Sequence, residues 1–219
     1  MKQELKSAAK EKWEMKTKIM DALYEDTAFI FTDFNHPIFT KTVFKNCLFR
    51  NVNLKDARIY DCQFIDCTFK SVHFATVTIG AHNGLYQDCT FTSCRFRGAF
   101  FYNPEFIACL FNKCQWKSVD LSASYFDSCK FIGKLEDVTF RGYHESDLTE
   151  GAKPNPMKKV DFSEAIFGEF VGFTGCDLST AIPPVGYTFE ELLRPSKYGS
   201  DMAYIGTGEN GMLTAYQKS

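Results

Sequence analysis

The sequence predicts an all-β solenoid, in which the chain winds into stacked coils, and two regularities carry this prediction. Large apolar residues, mostly Phe, recur at every fifth position from Phe29 to Ile79 without a slip. A small or compact residue stands two positions before each of them, as Cys62 does before Phe64. Neither the period of an α-helix nor that of a flat strand buries every fifth side chain. A short extended segment followed by a tight turn in each five-residue unit does so, and such coils stack at the spacing of neighbouring strands, about 4.8 Å.

Length and composition set the frame for this solenoid. The chain has 219 residues, enough for one domain with a sizeable core, and 23 of them are Phe. The formal net charge is only -2, which indicates neither nucleic acid nor an anionic membrane as a direct partner. The charged N-terminus has no signal-like apolar stretch, and no run of about 18 apolar residues occurs elsewhere. We therefore expect a cytoplasmic protein.

Residues 1–26 are predicted to form a helix that caps the first coil. An apolar stripe near the helical period supports this prediction, with Lys, Glu and Asp between its members. Solenoids need such caps because an uncovered end exposes core side chains and unpaired backbone groups. A partner-binding helix and a membrane-surface helix are the alternatives. The stripe consists of Leu5, Ala9, Trp13, Met20, Leu23 and Tyr24.

The solenoid itself is predicted over residues 27–182, with three breaks. Residues 80–85, GAHNGL, shift the phase by two positions, after which the pattern resumes from Tyr86 to Phe131. A second slip falls at 132–137. Residues 149–159 are polar and contain prolines, and are predicted to form a projecting loop. Residues 183–219 should hold a short helix, with Thr188 as its N-cap, and a flexible tail.

All nine cysteines occupy the small position of the repeat, two residues before a centre. Interior Cys behaves as a small hydrophobe, so we expect core packing and free thiols rather than disulfides or zinc ligation. The predicted core includes Phe64, Phe69, Phe74, Phe91, Phe96, Phe101, Phe106, Phe111, Cys62, Cys67, Cys89, Cys94, Cys109 and Cys114.

The two interior positions, repeated in more than twenty units, resemble those of the pentapeptide-repeat proteins from Thr27 to about Thr180. This resemblance implies a right-handed quadrilateral parallel β-helix with four pentapeptides per coil. Residues twenty apart should then stack in successive coils, which gives a Cys89, Cys109, Cys129 column and a Cys94, Cys114 pair. It also implies short terminal helices and a tendency to dimerise end to end. The position before each centre, usually Asp or Asn in that family, is often different here, as at Leu48, Arg58 and His73. The chain is therefore expected to be a divergent member.

No motif of a catalytic, cofactor-binding or metal site emerges from the sequence. The residues Gly206, Gly208 and Gly211 spell GxGxxG, but no βαβ unit follows them, so we interpret them as part of the tail. Asp56, Asp61 and Asp66 are five apart and belong to successive sides of a coil, which separates them too far for a carboxylate pair. We expect no catalytic residue, no cofactor and no metal. An enzymatic β-helix is the remaining alternative.

Two functional hypotheses come from this pattern. The first is a rigid protein-binding scaffold whose flat sides contact a protein partner. The second follows from resemblance to the quinolone-resistance, gyrase-protecting group, which implies mimicry of duplex DNA at a type II topoisomerase. Such mimicry requires rows of negative charge, yet acidic and basic residues balance one for one between Thr27 and Glu150. A bacterial effector also fits the sequence.

The C-terminal segment is the candidate contact of a homodimer. Phe189, Leu192 and Leu193 must cover either the final coil or a second copy of it. A monomer with a cap at each end is the alternative.

Overall fold

The computed structural model describes residues 5–7, 13–142, 155–195 and 212–215, almost entirely as short parallel strands. A single helical turn, α1, spans Phe189–Leu192. The strands in chain order are β1 (Lys6–Ser7), β2 (Lys18–Met20), β3 (Leu23–Glu25), β4 (Thr27–Ile30), β5 (Ile38–Thr40), β6 (Val43–Lys45), β7 (Leu48–Arg50), β8 (Arg58–Tyr60), β9 (Gln63–Ile65), β10 (Thr68–Lys70), β11 (Thr78–Ala81), β12 (Leu85–Gln87), β13 (Thr90–Thr92), β14 (Phe100–Phe101), β15 (Glu105–Ile107), β16 (Leu110–Asn112), β17 (Val119–Ser122), β18 (Tyr125–Asp127), β19 (Lys130–Leu135), β20 (Val138–Arg141), β21 (Asn155–Lys158), β22 (Asp161–Phe167), β23 (Val171–Thr174), β24 (Cys176–Asp177), β25 (Leu193–Pro195) and β26 (Met212–Ala215).

These strands build the four walls of a solenoid, which we number in chain order. Wall 1 holds β2, β5, β8, β11 and β14, with the sheet of β17, β20 and β23 beyond them. Wall 2 holds β3, β6, β9, β12, β15, β18, β21 and β24. Wall 3 holds β1, β4, β7, β10, β13, β16, β19 and β22. Wall 4 is a column of single parallel bridges joining Asp33, Asn53, His73, Arg95 and Gln115.

The four-walled β-solenoid expected from the sequence is confirmed, and its register follows from the repeat. Phe69 pairs with Phe49, twenty residues earlier, because four five-residue units complete one coil. It pairs with Phe91, twenty-two residues later, because the insertion at 80–85 adds two residues to that coil. Wall 2 shows the same offset, since Tyr86 pairs with Phe64. The phase shift in the sequence is therefore absorbed without breaking the stack.

The core is a set of aromatic stacks that run along the solenoid axis. The ring of Phe69 lies 4.8 Å from that of Phe49 and 4.7 Å from that of Phe91, with the ring planes nearly parallel. Neighbouring rings within a coil meet edge to face, as Phe44 does with Phe49 at 5.4 Å. Every Phe and Cys predicted for the core is buried. The interior therefore consists of the two repeat positions identified in the sequence.

The corners between walls require left-handed backbone at one residue in nearly every unit. Asp61, Asp66 and Ser71 have φ of 51°, 53° and 54°, each two positions after a core centre. Asn, Asp and Ser tolerate or locally stabilise such turns better than most residues do. At one corner the Asn46 amide donates to the Asp26 carboxylate over 2.7 Å, which links successive coils. The abundance of short polar residues between the centres therefore has a structural cause.

The N-terminal helix predicted over residues 1–26 is wrong where the structure describes the chain. Residues 18–20 and 23–25 form β2 and β3, which pair in parallel with β5 and β6. Ile19 and Tyr24 continue the five-residue period upstream of Phe29, and Ile19 is buried, whereas Met20 and Leu23 are exposed. Residues 1–4 and 8–12 lie outside the described residues. The solenoid thus begins before residue 27.

The predicted breaks are largely absorbed by the walls. At 80–85 the pairing of β11 with β8 shifts register. Gly80 has φ of 84°, and a Cβ at this position would lie only 2.4 Å from Pro104 Cβ. Of the break at 132–137, residues 132–135 stay in wall 3 as part of β19, which pairs with β22 through a further irregularity, and residues 136–137 lead to β20. The projecting loop predicted at 149–159 is wrong for residues 155–158, which form β21 between β18 and β24. Residues 149–154 lie outside the described residues.

The predicted N-cap of the C-terminal helix is confirmed. The Glu191 backbone N–H donates to Thr188 Oγ1 over 3.2 Å, and the Thr188 N–H donates to Glu191 Oε2 over 2.8 Å. This reciprocal capping box stabilises a helix of one turn, Phe189–Leu192. The tail beyond Pro195, including the glycines of the GxGxxG pattern, lies outside the described residues apart from β26.

We expect the aromatic stacks to dominate the free energy of unfolding. Replacing Phe69, whose side chain has no solvent exposure, by Ala should cost about 3–5 kcal/mol, because a cavity opens between two stacked rings. The matched control is Phe100→Ala, since the Phe100 side chain is 62% exposed, and it should change the free energy by less than about 0.5 kcal/mol. Urea denaturation followed by circular dichroism measures both, and equal losses would contradict the stacking account.

Candidate functional site

The cysteines lie in the interior of the solenoid, where several of them stack in a column. The predicted stacking of Cys89, Cys109 and Cys129 is confirmed, since the backbone N–H groups of Leu110 and Lys130 donate to the carbonyls of Cys89 and Cys109. Cys47 and Cys67 also belong to this column, because the strand after Cys67 pairs with those after Cys47 and Cys89. A spacing of twenty residues does not reveal this, since the insertion at 80–85 places Cys89 twenty-two residues after Cys67. All nine cysteines are free and buried.

Burial raises the pKa of several of these thiols. It raises the pKa of the Cys62 thiol to about 11 and that of Cys176 to about 12. Burial also raises the pKa of Cys89 above its ordinary value. Cys89 Sγ lies 3.3 Å from the carbonyl oxygens of Phe64 and Gln87, so backbone acceptors satisfy its weak donor. Burial therefore limits the access of reagents to these thiols.

The described residues include no group of three or more His, Cys, Asp or Glu side chains that could hold a metal ion. Among them, too, no helix has the length and apolar character needed to span a bilayer. His36, His73 and His82 sit at outward positions on the coils, as the sequence indicated, and His144 lies outside the described residues. The remaining candidates for function are the outward side chains of the walls.

Wall 2 and its two corners carry most of the outward carboxylates of the coils up to residue 128. Lys45 and Lys41 are the basic residues that interrupt them there, and Lys45 is paired with Glu25 at 3.5 Å. Farther along the wall, Lys158 lies 2.6 Å from Asp127 and holds the pKa of that carboxyl below its usual range. We call this surface the acidic wall. Its acids are Asp21, Glu25, Asp26, Asp61, Asp66, Asp88, Glu105 and Asp127.

Apolar side chains share the acidic wall with these carboxylates. In one outward column, Leu23, Val43 and Leu85 belong to the strands β3, β6 and β12, and Tyr125 belongs to β18. In the other column, Ile65 and Ile107 stand two coils apart. All except the exposed Leu23 are half-buried on the wall. The wall therefore offers apolar area within an acidic setting.

The opposite side of the solenoid has the opposite charge. Because the chain passes from wall 1 to 2, 3 and 4 in each coil, wall 4 lies across the core from wall 2. Exposed cations project from wall 4 and from the adjoining edge of wall 3. We call this surface the basic face. Its cations are Arg50, Lys55, Lys70, Arg95, Arg97, Lys113 and Lys117.

The candidate dimer residues are only partly accessible. Phe189 and Leu193 are buried in the core of their own chain, and the Phe189 ring meets Phe162 edge to face at 6.3 Å. Leu192 is half-buried beside a groove of about 680 Å³ that Ile166 and Tyr187 also line. Two of the three residues thus cover the last coil, and the homodimer stays a prediction that depends on Leu192.

Comparison with known proteins agrees with the repeat. A family model described as pentapeptide repeats matches residues 29–64 with eight copies of the unit. The same stretch builds consecutive coils with aromatic residues at the centres. The chain therefore contains pentapeptide repeats over this stretch. A search of curated protein sequences finds no match to it.

One solved structure shares the solenoid fold of this chain, and a second is reported beside it. Trypsin-treated QnrB1, a plasmid-mediated fluoroquinolone resistance protein, is 17% identical, with 78% of this chain and 85% of that chain covered at a TM-score of 0.57. HetL, a pentapeptide-repeat protein involved in heterocyst differentiation regulation in the cyanobacterium Nostoc sp. strain PCC 7120, is 10% identical, with 81% and 88% covered at a TM-score of 0.32. The likeness to QnrB1 establishes the fold alone.

The buried thiols lead to a direct prediction. At pH 8 none of the nine cysteines should react with Ellman's reagent within minutes, because each is buried out of reach of the reagent. The same protein in guanidinium chloride should react at all nine positions. Absorbance at 412 nm, roughly the thionitrobenzoate maximum, measures both states. A thiol that reacts at once in the native protein would contradict the interior column.

Proposed function

We propose that this pentapeptide-repeat solenoid is a non-enzymatic protein-binding module and that the acidic wall is its docking surface. The observation that carries the proposal is the combination of half-buried apolar columns with surrounding carboxylates on one flat wall. Protein interfaces commonly join an apolar centre to a polar, solvent-accessible rim. The wall's backbone is held by the pairing of successive coils, so little conformational freedom would be lost on binding.

The apolar columns provide a matched test of this docking surface. Leu85 on wall 2 and Leu110 on wall 3 are both outward, half-buried leucines at the start of a strand. We expect Leu85→Arg to abolish capture of the protein partner, because a charge replaces apolar contact area, whereas Leu110→Arg retains it. Quantitative affinity capture from cell lysate with the parent and both variants measures this difference.

Folding is checked by thermal denaturation, in which both Arg variants should remain close to the parent. A partner lost equally in both variants, or in neither, would contradict the assignment to wall 2. A partner lost only in Leu110→Arg would move the docking surface to wall 3.

A second candidate function is mimicry of duplex DNA at a type II topoisomerase, and the carboxylates of the acidic wall favour it. The equal numbers of acidic and basic residues between Thr27 and Glu150 do not reveal this wall. Its acids lie on one side of the solenoid, and the cations of the basic face lie on the opposite side. The density of charge sets a limit on the mimicry. Duplex DNA carries one charge per 1.7 Å of axis, about three per 4.8 Å coil, whereas the wall with its corners supplies one or two in most coils.

A supercoiling assay with DNA gyrase tests this second function. A duplex mimic should inhibit supercoiling, or protect the enzyme from a fluoroquinolone, at micromolar concentration. The double variant Asp66→Lys with Asp88→Lys should lose the effect, because it reverses charge in two successive coils of the acidic wall. Glu169→Lys is the control, since Glu169 is exposed at a corner away from wall 2. Absence of any effect by the parent protein eliminates the topoisomerase function and leaves the protein-binding proposal intact.

A further inference from the structure

The basic face has no counterpart in the function proposed for the acidic wall. Its cations come from four consecutive coils. Arg50 and Lys70 are the last residues of β7 and β10, at the edge of wall 3, and Arg95 belongs to the bridge column of wall 4. Four coils at about 4.8 Å place the first and last rows of cations roughly 15 Å apart along the axis. The cations therefore form one continuous surface.

These cations are unpaired, unlike others on the molecule. Lys45, Lys130, Lys134, Lys158 and Arg141 each form an ion pair with a carboxylate. None of the seven cations of the basic face lies within ion-pair distance of a carboxylate belonging to a described residue. A surface of like charge without compensation is costly in self-repulsion, and an anionic ligand would relieve that cost.

The nearest carboxylate on wall 4 is already engaged. Asp56 Oδ2 lies 3.2 Å from His36 Nδ1, and its Oδ1 accepts a hydrogen bond from the Thr76 hydroxyl. Asp33, one coil earlier, accepts from the Asn35 backbone N–H over 2.8 Å. From Ala57 to Lys117 the outward positions of wall 4 contain no acidic residue. The positive charge of the face is therefore not neutralised within the wall.

The surface between the cations is polar and slightly concave. A shallow groove of about 560 Å³ runs along wall 4, lined by amides, hydroxyls, an imidazole and the small Ala75. Large exposed apolar side chains lie elsewhere: Phe31 is at the same edge one coil earlier, and Phe100 is on wall 1. The groove is lined by Asn51, Val52, Asn53, Lys55, Ser71, His73, Ala75 and Arg95.

This composition fits phosphate better than the other anionic surfaces. Arg, Lys, Asn, Gln and Ser are the side chains that contact nucleic-acid phosphates. Membrane-surface binding depends on apolar side chains that enter the lipid, and protein interfaces are depleted in Lys, so neither suits this face. No Phe, Tyr or Trp occupies an outward position of wall 4 between Asn51 and Lys117, which removes most of the stacking on which single-strand binding relies. A duplex about 15 Å long carries roughly eight phosphate charges, close to the number of cations.

We propose that the basic face binds double-stranded nucleic acid through its phosphates, without reading the base sequence. The expectation of no direct nucleic-acid partner rested on the net charge of -2. That value averages two surfaces of opposite sign, and only the local charge acts on a ligand docked at one wall. The proposal goes beyond the protein-binding function, because the basic face lies across the core from the acidic wall.

Fluorescence anisotropy with a labelled duplex of about 20 bp and arbitrary sequence tests the proposal. A duplex of this length extends beyond both ends of the roughly 15 Å face. We expect binding at low salt that weakens roughly 100-fold between 50 and 200 mM NaCl, because about four phosphate contacts release counterions. The double variant Arg95→Glu with Arg97→Glu should weaken binding at least tenfold at low salt. Its control is Lys41→Glu with Arg58→Glu, which makes the same charge change at exposed positions on wall 1 and its corner with wall 2, and should change binding less than threefold.

Three further arms decide between anionic ligands, with thermal denaturation to confirm that each variant is folded. A single strand of equal length should bind more weakly than the duplex, and equal affinity would overturn the duplex assignment. Vesicles containing phosphatidylserine and a polyglutamate of matched charge should both bind more weakly than the duplex. No duplex binding at 50 mM NaCl, or equal weakening in the two double variants, would overturn the proposal.

Discussion

Aromatic stacking at fixed five-residue intervals is the constraint on which the rest of this molecule depends. The parallel rings of Phe49, Phe69 and Phe91 lie less than 5 Å apart, which matches the spacing of hydrogen-bonded strands. Side-chain packing and backbone pairing therefore favour the same coil. A unit of any other length would displace every later ring. The added residues at 80–85 are accommodated because a bulge at Gly80 restores the register before Tyr86.

This constraint divides the chemistry of the chain between interior and surface. The interior accepts only a large apolar centre and a small neighbour, which explains why all nine cysteines are buried. The left-handed corners, such as Asp61 and Asp66, further restrict which residues stand between the centres. Variation remains possible at the outward positions beside each centre. Within the part of the chain that the structure describes, the outward side chains of the walls are therefore the surface available for binding.

The walls separate charges that neighbour one another in the sequence. Asp66 at the edge of the acidic wall and Lys70 at the edge of the basic face are only four residues apart, yet they point to different sides of the coil. A module of this kind has two independent surfaces, one acidic with apolar columns and one basic and polar. The proposed protein partner and the proposed duplex would occupy opposite walls, so one could bind without displacing the other.

The five-residue period in the sequence predicted a stacked coil and its buried residues, because neither a helix nor a flat strand buries every fifth side chain. The four walls were expected only from the resemblance to pentapeptide-repeat proteins. It misassigned residues 18–25, where Ile19 and Tyr24 fit both a helical stripe and the five-residue period, and pairing with β5 and β6 selects strands. Only the tertiary structure decided that Phe189 and Leu193 close the last coil. It also decided which charges share a wall, because that depends on how the coils stack and on the two inserted residues. The net charge of the chain carries no information about either.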